Sequence, residues 1–204
     1  LEVLEGSSHI MLIHKESGTH RVQLPLPIEL NQINCYAIKG STGWSLVDSG
    51  LQDEQCILGW QKFMRKHEIG PRDIKSIYLT HSHPDHCGLA HWLQQLSGAP
   101  VYMGAAEVEA RERFRIGSRT GQFPGLLSKN GIPSTLLSRM DSFMNPGRIP
   151  EQELPKLTVI EPEEKVLLGD YEYSVLLTPG HTNGHICFFN EELGILLSGD
   201  NILP

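Results

Sequence analysis

Short apolar runs and two amphipathic stretches alternate along the first half of this chain. From His20 to Ser49 the segments HRVQL, INCYAIK and WSLVDSG predict short strands, INCYAIK by its apolar alternation and WSLVDSG by its closing glycine turn, together an opening β-meander. Between Asp53 and Glu68, the residues Cys56, Ile57, Trp60, Phe63 and Met64 recur at three- and four-residue steps, which predicts an amphipathic helix stopped by Gly70-Pro71. IKSIYLT is mostly apolar and predicts a buried strand that delivers the chain into HSHPDH, on a loop at the strand's C-terminal end. Leu89, Trp92, Leu93 and Leu96 predict a second helix ending at Gly98, and PVYM a further strand, completing a β-α-β unit.

Residues 104–150 change character. Breaks at Gly117, Gly121, Pro124, Gly131, Pro133 and Pro146 divide a stretch rich in Arg, Phe, Met and Leu, predicting a helical insertion. Strands return with KVLL, YEYSVLLTP, HICFFN and GILLSGD, the last two separated by a turn over Glu191–Gly194. The order is that of an α/β protein with two β-rich halves.

Composition narrows the class. The chain has 204 residues, 39% apolar and 20% charged, with a formal net charge of -7. That balance fits one globular domain and disfavours a polyanionic partner such as nucleic acid. Cys35, Cys56, Cys87 and Cys187 are scattered with no C-x-x-C pair, so neither a zinc ribbon nor a disulfide framework is signalled. A reducing compartment follows, and the expectation is a cytoplasmic protein, since no run approaches the ~18 apolar residues of a membrane span. The opening LEVLEGSSHIM resembles a protease-site and cloning remnant, with Met11 the natural start, so residues 1–10 are expected to be a tag remnant or disordered and 11–204 the domain.

The densest chemistry lies in HSHPDH, where His81, His83, Asp85 and His86 share one turn after a buried strand. Alternate side chains of an extended His-x-His point the same way, toward one ion; Asp85 and His86 follow within reach of a neighbouring position, so the four groups divide into two pairs that could serve two cations. Imidazole and carboxylate suit zinc, and also iron or manganese. A second cluster, TPGHTNGH, and a third, SGDN, repeat the design of strand, glycine and exposed ligand. Asp48, in LVDSG, has the plain reading of a turn-forming residue before Ser-Gly. Cys87 pairs with no base in the sequence and reads as a small buried thiol. His91 reads as outward or packed, and His9, His14, His20 and His67, which lack motif context, as surface residues.

The ordered set LVDSG, THSHPDH, TPGHTNGH and SGD resembles the metallo-β-lactamase-fold hydrolase superfamily, and within it the branch of glyoxalase II and related thioester, ester and lactone hydrolases. The resemblance covers about Leu24 to Asp200. It implies a four-layer αβ/βα sandwich with metals at one sheet edge. It further implies that His81, His83 and His181 hold a first metal, that Asp85 and His86 hold a second, and that Asp200 bridges them. His185 would then be a residue behind the ligands, and Asp48 would support the site loops. The reaction implied is attack on a carbonyl by a hydroxide generated from metal-bound water, with Asp85 orienting that water and accepting its proton. A nuclease of the superfamily, a mono-iron persulfide dioxygenase and a non-catalytic binding module are the competing readings.

The superfamily pattern also asks for a histidine beyond the SGD aspartate, while this chain stops at Pro204. The expectation is a sandwich incomplete at its C-terminus, with weakened binding at the second metal and exposed sheet surface that favours a homodimer. Arg111, Arg113, Arg115 and Arg119, near Phe114, Phe123 and Met140, mix positive charge with apolar surface that could receive a small-molecule substrate such as an anionic thioester. The plainer account is a solvated helix in which Arg111, Arg113 and Arg115 alternate with Glu109 and Glu112.

Overall fold

Strands laid down early in the chain pair in the order in which they follow one another. The structure, a computed structural model, describes residues 10–27, 31–119, 122–135 and 154–202. Seven strands form the larger sheet: β1 (Ile10–His14), β2 (Thr19–Pro25), β3 (Gln32–Lys39), β4 (Trp44–Val47), β5 (Ile74–Leu79), β6 (Val101–Gly104) and β7 (Leu157–Ile160). The pairs from β1 to β4 are antiparallel, those from β4 to β7 parallel. This switch is what helices require: α1 (Glu54–Lys66) connects β4 to β5 and α3 (Ala90–Ser97) connects β5 to β6, each a parallel crossover. The smaller sheet, wholly antiparallel, runs β11 (Ile195–Leu197), β10 (Ile186–Asn190), β9 (Tyr171–Leu177), β8 (Lys165–Leu168).

Two cores follow. Cys56, Trp60, Phe63 and Met64 of α1 and Leu93 of α3 bury against Leu46, Ile77 and Leu79 of the larger sheet. On that sheet's other face, Ile38, Val47 and Tyr78 meet Tyr173, Val175 and Phe188 of the smaller sheet. β5 contributes to both, which is why it is mostly apolar and buried at every position but Lys75 rather than alternating. Tyr78 stacks on Tyr102 at 4.8 Å and meets Phe188 edge-on at 5.5 Å, locking the sheets near the end where the histidine loops emerge. Trp60 is fully buried and donates its indole N–H to the Ser49 carbonyl at 2.7 Å, tying α1 to the turn after β4.

The expected α/β sandwich is present as helices, larger sheet and smaller sheet. A helical layer over the outer face of the smaller sheet is not found among the described residues. There Leu167, Leu176 and Leu196 are exposed at 63%, 38% and 42%. The insertion expected over 104–150 begins as two helices, α4 (Ala105–Arg119) and α5 (Gln122–Lys129). Residues 136–150, including Met140, and the side chains of Phe114, Arg115, Arg119 and Phe123 lie outside the described residues, as does the segment 1–9. No described helix is long and apolar enough to cross a membrane.

Several expectations need correction. β1 precedes the first expected strand and pairs with β2, and β7 escapes the pattern because only Ile160 of its four residues is buried. HSHPDH is not all loop: Pro84–Cys87 form one helical turn, α2, with proline at its first position, where the missing N–H costs nothing. His20 is no surface residue. It is buried, its ring centroid 5.3 Å from Trp44 and 4.6 Å from His67, and burial lowers the proton affinity of both imidazoles. All four cysteines are buried and free.

Candidate metal centre

The site forms where β4, β5, β9 and β11 end. β5 runs out into Thr80-His81-Ser82-His83, α2 then lifts Asp85 and His86, the β9–β10 loop carries His181, and a 3-10 turn after β11 carries Asp200.

Three ring nitrogens converge. His83 Nδ1 lies 3.0 Å from His81 Nε2 and 2.9 Å from His181 Nε2, although His83 and His181 are 98 residues apart. A second group gathers His81, His86 and Asp200, with Asp200 Oδ1 3.1 Å from His86 Nε2 and Asp200 Oδ2 3.4 Å from His181 Nε2. Asp200 thus faces both groups. Asp85 stands further out, its Oδ2 3.8 Å from His86 Nε2. His81 and His86 are buried, whereas the His181 side chain is 28% exposed, so the site is closed at its base and open on the His181 side.

Asp48 sets the chemistry of the buried pair from behind. This residue sits in left-handed conformation, φ +61°, a placement aspartate tolerates better than most. Its carboxylate accepts the Thr80 backbone N–H at 2.8 Å, the Thr80 hydroxyl at 2.9 Å and the His86 Nδ1–H at 2.8 Å. With its proton committed to Asp48, the Thr80 oxygen accepts from His81 Nδ1 at 3.0 Å. The hydrogen-bond network therefore assigns both rings the tautomer that turns a bare Nε2 lone pair inward.

Such an arrangement calls for positive charge at its centre. With His81 Nε2 bare, the single proton His83 Nδ1 can carry or receive completes only one of its two contacts, at 3.0 and 2.9 Å, with a well-aligned hydrogen bond. His86 Nε2 is sealed from solvent and completes no hydrogen bond despite the approach of Asp200. Burial opposes a charge on His86, but Asp48 and then Asp200 outweigh it and raise its hold on positive charge, the pull that a cation at Nε2 would meet. His81 is driven the other way, by burial first and then by His86 and His83, and His83 likewise by burial and His181. Burial would raise Asp200, yet the approach of His86 at 3.1 Å, and after it His181 and His83, bring it down, so it stays a carboxylate. The donors fit a divalent cation of the zinc, iron or manganese kind.

His185 occupies a supporting position. Its Nε2 accepts the Asp200 backbone N–H at 3.2 Å while its ring stacks 4.9 Å from that of His81. The turn at Gly199, φ +49°, admits this contact, because a Cβ there would lie 2.7 Å from His185 Nε2. Cys87 donates to the Ser82 carbonyl, and burial raises its thiol, which keeps it protonated. His91, on α3, is half-buried with its Nδ1 sealed from solvent and unpartnered.

Two residues of the site are given no role by the sequence: Thr80, which stands in the THSHPDH motif and relays Asp48 to His81, and Glu107, in the first turn of α4 and outside every motif. The Glu107 carboxylate is buried and accepts from Ser82 N at 2.8 Å, Thr182 Oγ1 at 2.6 Å and Gly184 N at 2.9 Å. Beside it a cavity of about 260 Å³ opens next to His83, lined by Pro84, Ala106, Ala110, Arg111, Arg113 and Asn183 among others.

Imidazoles gathered at the edge of a two-sheet α/β sandwich define a class composed mostly of metallo-hydrolases. The chain belongs to the metallo-beta-lactamase superfamily, whose family model matches residues 28–204. It is 28% identical over 176 residues to hydroxyacylglutathione hydrolase GloC of Haemophilus influenzae, covering 86% of this chain and 69% of that protein. It is 25% identical over 195 residues to the probable metallo-hydrolase YqjP of Bacillus subtilis, covering 89% and 56%. The crystal structure of a metallo-beta-lactamase family protein from Thermus thermophilus superposes with a TM-score of 0.74 at 29% identity, covering 91% of this chain and 60% of that one. The chain thus spans between about half and two thirds of the length of these relatives.

Proposed function

We propose that the chain carries the metal centre of a hydrolase that cleaves a thioester, ester or lactone, with His81, His83 and His181 holding one divalent cation and His86, Asp85 and Asp200 a second. Zinc is the cation the donor set favours. The observation that carries this reading is the convergence of three imidazole nitrogens, His83 Nδ1 lying within 3.0 Å of each of the other two. A cation so held supplies Lewis acidity toward a carbonyl oxygen and makes water a nucleophile at neutral pH.

The chain's own residues do the rest. Asp48, acting directly on His86 and through Thr80 on His81, holds both rings in the ligating tautomer. Asp85, buried beside His86, is the carboxylate that would orient the attacking water and take its proton. The cavity beside His83 receives the acyl substrate, and the guanidinium groups of Arg111 and Arg113 at its wall favour one bearing negative charge. Glutathione thioesters have that character, in keeping with the likeness to a hydroxyacylglutathione hydrolase.

The test is thiol release from S-acylglutathione by zinc-loaded protein, compared with an uncharged thioester carrying the same acyl group. Turnover that a chelator removes, that His83→Ala abolishes and that falls for the uncharged substrate is expected. Zinc-loaded protein that cleaves neither substrate would overturn the proposal.

A further inference from the structure

Glu107 connects two loops that belong to different sheets. Ser82, whose N–H its Oε2 accepts, lies between His81 and His83; Thr182 and Gly184, which both donate to its Oε1, belong to the segment that follows His181. One carboxylate therefore pins the backbone of every loop that contributes to the three-nitrogen cluster. Burial raises the affinity of Glu107 for a proton, but the hydrogen bonds from Thr182, Ser82 and Gly184 outweigh it and keep the group anionic. An anion accepting three donors in a low-dielectric pocket is a stiff joint. The approach depends on Gly184, because a Cβ there would lie 2.7 Å from Ala106 Cβ and 2.9 Å from the Glu107 amide nitrogen.

We propose that Glu107 is a positioning residue: by clamping the Ser82 and Thr182–Gly184 backbones to the start of α4 it sets the separation of His81 and His83 from His181, and so the affinity and coordination geometry of the metal they hold. This rests on the metal-centre reading above. Glu107 touches none of the three imidazoles in any described contact, and its effect is transmitted only through the loops.

Glu107→Gln keeps the volume but turns an amide NH2 either toward the Ser82 N–H or toward the Thr182 and Gly184 donors, so one arm of the clamp opens. Thr182→Val removes a single arm at nearly constant size and leaves α4 untouched. Glu109→Gln, on the exposed face of α4 where Glu109 pairs with Arg113, is the control. The full chain is loaded with Co2+, its affinity measured by competition with a chromophoric chelator and its d–d spectrum recorded. Expected are a loss of about 10–100-fold in affinity for Glu107→Gln, a smaller loss for Thr182→Val, a shifted spectrum in both and wild-type values for Glu109→Gln. A merely structural Glu107 would lower thermal stability and leave the spectrum alone. Wild-type affinity and spectrum in Thr182→Val together with either the same result or failure to fold in Glu107→Gln would overturn the proposal, with the metal-centre reading intact. A wild-type chain that binds no Co2+ would overturn that reading and this proposal together.

Discussion

Replacing Asp48 by asparagine isolates the control that one buried carboxylate exerts over two imidazoles. Asparagine tolerates the left-handed conformation at φ +61° as well as aspartate does, so backbone strain does not enter. The carboxylate offers acceptors on both sides, to the Thr80 N–H at 2.8 Å and to His86 Nδ1 at 2.8 Å. An amide can accept on only one. If its carbonyl faces Thr80, its NH2 meets His86, which must switch tautomer and place a proton on Nε2 where a cation would bind. If its carbonyl faces His86, two N–H donors oppose each other at the Thr80 amide. Each outcome leaves a buried polar group wrongly matched, at ~1–3 kcal/mol. For a chain of this size that lowers the melting temperature of the metal-free protein by about 2–12 °C. The first outcome also predicts a drop in metal affinity of about 10–100-fold. Calorimetric melting of metal-free protein and zinc titration against a competing chelator read the two quantities separately. An Asp48→Asn variant that melts within a degree of wild type and binds zinc equally well would refute the reasoning.

Gly199→Ala forces a Cβ to 2.7 Å from His185 Nε2 in a left-handed turn and is expected to cost about 1–3 kcal/mol in urea unfolding; an unchanged midpoint would mean the turn relaxes freely. The folded-state proton affinity of Glu107 is depressed, so the stability it contributes is present above its unfolded value of ~4.3 and is lost as pH falls through the lower folded value. In metal-free protein the stability gap between wild type and Glu107→Gln should therefore narrow on acidification below about pH 4, and a gap constant with pH would contradict an anionic clamp. The exposed strip of Leu176 and Leu196 predicts self-association that the double substitution Leu176→Lys, Leu196→Lys abolishes in sedimentation experiments; association that survives it must use another surface.

Local patterns reached most of this fold. The three-and-four spacing of Cys56, Trp60, Phe63 and Met64 is the buried face of α1, and the apolar run of β5 is that of a strand covered on both faces. The histidine motifs were visible because each follows a strand directly, and strand ends are what the sheets bring together. What stayed hidden depends on partners distant in the chain. β7 is recognisable only beside β6, since a single buried residue gives no periodicity. His20 is buried because Trp44, Phe63 and His67 happen to surround it. Glu107, read locally, is an acidic residue suited to a helix start, and its role exists only once Ser82 and Gly184 meet it in space.

The order in which the ligating groups arrive has a consequence for biosynthesis. His81, His83 and His86 emerge together, but the nitrogen opposite His83 comes 98 residues later and Asp200 later still. A nascent chain that has left the ribosome only through β7 holds the first half of the site without its counterpart, and cannot enclose a cation. On the proposed reading of the site, an ion held by His81, His83 and His181 would rivet the larger sheet to the smaller one laid down after it.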